Sequence, residues 1–306
     1  LEKNLHKPLT QVPDPFNKFD SFGEHNNEML KTFLNSFNFK YSFKSSTSLY
    51  KSGFFNSTLQ ILLHIHEISG HIISNTYNGN CEFTKSYEHL VHMYFKTGGK
   101  TVFTTGPLLH SFVKIFPRFI IGQPHDSQDA LFCIIDILEK GYPHIKDLVY
   151  GETTQITISP VSKNVIKLPF CIHILNMKKE IKDVNTMIQD SYKWNVIDDY
   201  IDDNGKQHNV ATSRNIFSKY PKILFISFDK KSFVKINEEL KLNDKIYELK
   251  STIIHKGIQY GGHYMSISKL DNNWFIQDDE TIEKLDSFPK EDNHFILVYN
   301  LKIPSY

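Results

Sequence analysis

Gly257-Ile258-Gln259-Tyr260-Gly261-Gly262-His263-Tyr264-Met265-Ser266-Ile267 is followed closely by Trp274-Phe275-Ile276-Gln277-Asp278-Asp279. The first stretch reads as a glycine-rich turn that launches a strand at His263. The second reads as a strand ending on a pair of carboxylates. Fifteen positions separate His263 from Asp278, and two adjacent antiparallel strands set such a pair side by side. An imidazole oriented by a carboxylate is the base half of a nucleophile–His–Asp triad.

The matching nucleophile is sought at the buried N-terminus of a helix, where partial positive charge and unpaired N–H groups lower a thiol pKa. Tyr50-Lys51-Ser52-Gly53-Phe54-Phe55-Asn56-Ser57-Thr58-Leu59-Gln60 opens such a helix. Phe55, Leu59, Leu62 and Leu63 recur at helical spacing on one face, and Ser52 is the expected cap. The residue at the corner is Gly53, which has no side chain to attack with.

Composition narrows the class. The chain has 306 residues, 40% hydrophobic and 23% charged, as in an ordinary soluble domain. A formal net charge of +1 gives no bias toward nucleic acid or an anionic membrane surface. Phe (24) and Tyr (15) point to a core rich in aromatics. Cys81, Cys133 and Cys171 are odd in number, far apart and form no CxxC pair, which argues against a disulfide framework or structural zinc and for thiols in a reducing compartment. No run of about 18 apolar residues predicts a membrane span. The opening Leu1-Glu2-Lys3-Asn4 has neither an initiating Met nor an apolar signal core, so the chain is read as a piece of a longer or processed one.

The order of elements predicts an α+β fold. Residues 1–25 read as an irregular arm, 27–38 as a short helix and 42–51 as a polar loop. The central helix is expected to run to about Ser69, with Gly70 ending it. Further helices are expected at about 85–96, 106–116 and from Asp126 or Ser127 to about 140. Strands are then expected at 153–158, 166–174, 223–228, 247–255, 264–268, 274–276 and 295–300, with a helix interrupting at 180–197. Asp202-Asp203-Asn204-Gly205 reads as a tight turn.

Several apparent motifs fail on spacing. Gly99-Lys100-Thr101 lacks the leading glycine of a phosphate loop, since position 94 is Tyr94. His66 and His71 are five apart, one too many to share a zinc-protease helix face. The acidic run 198–205 lacks the first-position carboxylate and closing Glu of a calcium loop. The Asn56-Ser57-Thr58 sequon sits inside a predicted helix.

Taken together, three boxes resemble those of the ubiquitin-specific proteases, the papain-like cysteine proteases that act as deubiquitinases. The first family box, roughly Asn-Thr-Cys-Tyr-x-Asn-Ser-x-Leu-Gln, is similar to Lys51-Ser52-Gly53-Phe54-Phe55-Asn56-Ser57-Thr58-Leu59-Gln60. The second, Gln-x-Asp-Ala-x-Glu-Phe-Leu, is similar to His125-Asp126-Ser127-Gln128-Asp129-Ala130-Leu131. The third is Gly261-Gly262-His263-Tyr264 with Trp274 to Asp279, and Tyr220-Pro221-Lys222-Ile223-Leu224 resembles a weaker fourth segment.

The resemblance covers about 43–301. It implies a helical thumb, a β-sheet palm and fingers without zinc. It divides the chain into an arm and short helix (1–40), one catalytic-type domain (41–301; thumb to about 148, fingers and palm from about 149) and a tail (302–306). It implies ubiquitin or a ubiquitin-like modifier as partner, possible membership of a larger complex, no cofactor or metal, no nucleic acid or membrane partner, and a cytoplasmic or nuclear location.

Residue by residue, the resemblance puts Gly53 at the nucleophile position and Ser48 at the oxyanion position. His263, Asp278 and Asp279 complete the catalytic set. Asp126, Asp129, Gln60, Gly261, Gly262 and Tyr264 fall where the ubiquitin tail is held. Removing the nucleophile of a triad costs on the order of 10⁶ in kcat. The expectation is therefore a ubiquitin-binding relative that does not cleave. The alternatives are a working deubiquitinase whose Cys at position 53 has been lost from this form of the chain, and a scaffold without ubiquitin affinity.

Overall fold

The computed structural model describes residues 43–44, 52–96, 103–177, 180, 183–229, 234–257, 262–279, 281–290 and 293–302. The arm, the predicted helix at 27–38, Ser48 and Gly261 lie outside them. The chain divides into two compact units: Leu1–Lys146 with Lys250–Phe288, and Asp147–Leu249 with Pro289–Tyr306.

The first unit is built on α1 (Gly53–Leu63). It is not the half-buried amphipathic helix that its spacing predicts, because every residue from Phe54 to Leu63 is buried. A helix enclosed on all sides must satisfy its polar residues internally. The Ser57 hydroxyl donates to the Gly53 carbonyl (2.7 Å), and the Thr58 hydroxyl to the Phe54 carbonyl (2.7 Å). The Thr105 hydroxyl donates to Asn56 Oδ1 (2.6 Å).

The helix also stops earlier than expected. It ends at His64, and α2 (His66–Ser74) starts at a new angle with Gly70 buried in its interior rather than terminating it. The His64 and Ile65 amides close the first helix onto the Gln60 and Leu62 carbonyls. Around α1 stand α3 (Glu82–Lys96), α4 (Gly106–Ile115) and α5 (Ser127–Gly141), followed by the short α6 (His144–Val149), which the sequence pattern did not suggest. The aromatic excess forms this core: Phe55, Phe83, Tyr87 and Phe112 are fully buried, and Phe112 packs against Phe55, Phe83 and Phe119.

A two-residue β1 (Phe43–Lys44), in the stretch expected to be loop, pairs in parallel with β2 (Phe103–Thr104). In the second unit an antiparallel sheet has the order β4-β3-β7-β6, from β3 (Gly151–Ile158), β4 (Lys163–Phe170), β6 (Asn195–Ile201) and β7 (Gln207–Lys219). The turn at 202–205 joins β6 to β7 as expected, with Gly205 at φ +77°. The two strands themselves were missed: β6 has no buried residue, and β7 buries His208, Ala211, Ser213 and Phe217, a mostly small or polar set with no apolar alternation. The stretch expected as one strand at 166–174 is split between β4 and β5 (Ile172–Leu175), and α7 occupies only Val184–Tyr192. β8 (Ile223–Phe228) pairs with β5 and with β14 (His294–Leu301). β9 (Glu239–Leu242) pairs with the start of β10 (Lys245–Lys256).

The end of β10 belongs to the first unit, where it pairs with β11 (His263–Leu270), β11 with β12 (Asn273–Asp278) and β12 with β13 (Thr281–Leu285), all antiparallel. No helix among the described residues is long and apolar enough to cross a membrane.

Candidate active site

The first unit alone assembles the described site residues. The N-terminus of α1 lies against the start of β11. A Cβ built on Gly53 would sit 3.6 Å from the Tyr264 carbonyl oxygen and 3.7 Å from Tyr264 Cβ, ordinary van der Waals contact. Position 53 therefore accepts a side chain, packed against Tyr264, the residue that follows His263. Ser52 stands at the N-cap but does not cap: at φ −98° and ψ 7° it lacks the extended backbone that turns a hydroxyl back onto the helix. Its hydroxyl is buried without a partner, and its carbonyl accepts from the Phe55 and Asn56 amides.

His263 and Asp278 meet as the strand order predicts. His263 Nε2 is hydrogen-bonded to Asp278 Oδ1 across the β11–β12 pair. Both side chains are partly open to solvent, at 48% and 41% exposure. Asp279 follows in the left-handed region (φ 47°), which turns the chain out of β12. It lines a small recess with Gly53, Asn56, Ser57, Gln60, Tyr264 and Gln277 that offers about 10 Å³ to a water-sized body. One ligand atom each from His263, Asp278 and Asp279 lie within 4.8 Å of one another.

Gly262 is dictated by close approach. A Cβ there would fall 2.1 Å from His255 Nε2 and 2.8 Å from the Lys256 carbonyl oxygen. Position 262 thus takes only glycine beside His255 and Lys256, at the residue just before His263 begins its strand.

The second box is brought to the same place. Asp126 caps α5, accepting from the Gln128 amide at 2.7 Å, and Asp129 lies in the first turn of the helix. Both are exposed. Tyr264 points its phenol at this helix start. Its pKa is pushed well up, first by burial and then by the negative charge of Asp126, with Asp129 adding a smaller push and hydrogen bonds from Ser127 opposing. Gln60 is buried at the recess, with Oε1 unpartnered.

Sequence reasoning missed a polar cluster behind the site. The cluster is built on Gln277 of β12. It is buried, and its Oε1 accepts from the hydroxyls of Ser266 (2.7 Å) and Ser268 (3.3 Å). Ser268 in turn is hydrogen-bonded to His64 Nδ1 (3.0 Å), whose Nε2 meets the Tyr94 hydroxyl (2.7 Å). Burial, with a lesser push from His66, holds the His64 pKa down to about 3. The alternation of serines along Ser266-Ile267-Ser268, facing a lone Gln on the next strand, was the available signal.

Likeness to known proteins extends over most of the chain. The family model described as "Ubiquitin carboxyl-terminal hydrolase" matches residues 47–299. Among solved structures, the chain is similar to a SAGA DUB module of Ubp8, Sgf11, Sus1 and Sgf73 bound to monoubiquitin. The TM-score is 0.73 at 18% identity, covering 86% of this chain and 69% of that one. The same module bound to ubiquitin aldehyde gives 0.72, also at 18% identity, covering 86% and 70%. A yeast SAGA DUB module gives 0.71 at 16% identity, covering 86% and 69%.

A different, local likeness links part of the chain to lysine–tRNA ligases. It is 51% identical over 59 residues to that of Roseobacter denitrificans and 36% over 94 residues to that of Rickettsia akari. These matches take in 19% and 31% of this chain but only 11% and 17% of the ligases. The family match spans most of the chain, and the fold it implies is the one observed: this chain belongs to the ubiquitin carboxyl-terminal hydrolase family, with the α+β papain-like fold of the ubiquitin-specific proteases.

Proposed function

We propose that this chain binds ubiquitin or a ubiquitin-like modifier through a deubiquitinase scaffold and, as written, does not cleave it. The reading rests on one observation: the residue packed against Tyr264, beside the His263–Asp278 pair, is Gly53. The imidazole keeps its orienting carboxylate but has no thiol to deprotonate, so no acyl intermediate forms. Asp126 and Asp129 at the start of α5, with Tyr264, Gln60, Gly261 and Gly262, hold the basic modifier tail; Ser48 stands at the oxyanion position. The setting is intracellular, cytoplasmic or nuclear, and a larger protein complex is a fitting host.

The test is a ubiquitin titration by calorimetry or NMR alongside turnover of a ubiquitin–fluorophore conjugate. Binding without turnover is expected. Turnover at ordinary deubiquitinase rates overturns the reading. Absence of binding, with a protein partner co-purifying, favours the third reading, a scaffold outside ubiquitin chemistry.

The second reading is a working deubiquitinase whose Cys at position 53 has been displaced, and the ligase likeness favours it. The family match begins at residue 47, leaving 46 residues ahead of it. At 59 residues the ligase-like stretch is longer than those 46 and so overlaps the family match; this reading sets it at the N-terminal end, where it takes in Gly53. On this reading the glycine belongs to ligase-derived sequence joined within the first box. Sequencing the coding locus unbroken across this junction decides it. A Gly53→Cys variant that labels with a C-terminally electrophilic ubiquitin probe shows that the remaining machinery works.

A further inference from the structure

We propose that His263, Asp278 and Asp279 form a divalent-cation site, best suited to zinc, whose open coordination position faces the recess left by Gly53. The ligand atoms of the three residues lie within 4.8 Å of one another, close enough for side-chain rotation to bring each to the roughly 2.0–2.2 Å that zinc takes with nitrogen and oxygen. One imidazole with two carboxylates is a donor set that zinc accepts, and three protein ligands leave a fourth position for water. Zinc is taken by the lone pair of the neutral imidazole and by the two carboxylates, which replace waters of the hydrated ion; the one remaining imidazole N–H stays on the other ring nitrogen, and no oxidant or reductant is involved.

A second observation points to the same place. The recess beside Asp279 has room for about one water, at about 10 Å³. Two unpartnered polar atoms on side chains more than nine-tenths buried line it: Gln60 Oε1, an acceptor, and Asn56 Nδ2, a donor. A metal-bound water has protons to give and a remaining lone pair, and so matches both. In a family member with a thiol at position 53, that side chain would occupy the space. Here glycine leaves it to solvent. Buried polar atoms without partners are destabilising, which makes a water held there by a cation a stabilising occupant.

The inference is independent of ubiquitin, and so is its test. The full chain, stripped with a chelator, is titrated with zinc chloride by calorimetry and with cobalt chloride by visible absorption. Saturable binding of one zinc per chain is expected, with a cobalt spectrum of low coordination number. His263→Ala and Asp279→Asn should each weaken it by at least about tenfold. His144→Ala is the control, because the His71 and His144 rings lie 4.7 Å apart and are the obvious competing locus; it should leave zinc affinity unchanged. Thermal melts in chelator establish that each variant folds, and Asp279→Asn, on a partly exposed turn residue, carries the test if His263→Ala does not. Absence of a saturable site, or zinc affinity unmoved by Asp279→Asn, overturns the proposal. A chain that binds zinc but not ubiquitin would leave this site standing while removing the functional reading above.

Discussion

Single residues carry separable consequences here. At position 53 the backbone is compatible with any L-residue and the space accepts a Cβ. Gly53→Ala should therefore raise stability by about 0.4–1 kcal/mol, chiefly by restricting the unfolded chain, as read by a denaturant melt. Gly262 is the opposite case. Its Cβ would meet backbone at 2.8 Å and an imidazole at 2.1 Å, so Gly262→Ala should cost about 1–3 kcal/mol as an overpacked site and disturb the neighbouring His263. Asp126 has two candidate roles that substitution can part. Asn caps a helix about as well as Asp does, so Asp126→Asn should leave the melt nearly unchanged while weakening ubiquitin binding. Asp126→Ala should cost about 1 kcal/mol of stability as well. Equal ubiquitin affinity in parent and Asp126→Asn would reduce this residue to a cap.

At the scale of elements, the join between α1 and the β11–β12 strands is a buried polar cluster around His64. The His64 pKa is held down to about 3, so the folded state keeps the ring neutral while the unfolded chain protonates it near 6.5. Between those values the unfolded state binds more protons, and stability rises with pH. The contribution is complete above about pH 6.5 and is lost progressively as pH falls toward 3. Thermal melts from pH 7.5 to 4.5 should show this decline, and His64→Asn should flatten it. An unchanged slope in the variant would assign the acid sensitivity elsewhere. The elements themselves were unevenly legible. α3, α4 and α5 follow their apolar spacing, but β6 and β7 were invisible, because β6 buries nothing and β7 buries mainly small or polar residues, which leaves no apolar alternation to display. Gly70 misled for a related reason: tertiary packing buries it inside α2, so the helix ends where His64 closes onto Gln60 and Leu62.

On the scale of the whole molecule, the family and its α+β fold could be read from three short boxes spread over more than 200 positions, from Gly53 to Asp279. The sequence alone determined that position 53 brings no nucleophilic side chain, because a glycine has none in any fold. It also determined the pairing of His263 with Asp278, since strand period and a short connection leave few ways to place them. Only the tertiary structure decided that the start of α1 is packed against Tyr264, that Gln277 anchors a buried cluster, and that Asp279 shares a recess with Asn56 and Gln60, each of whose amides has one unpartnered atom. Those arrangements depend on contacts between residues some 200 positions apart, and no local pattern in the chain encodes the distance across such a gap.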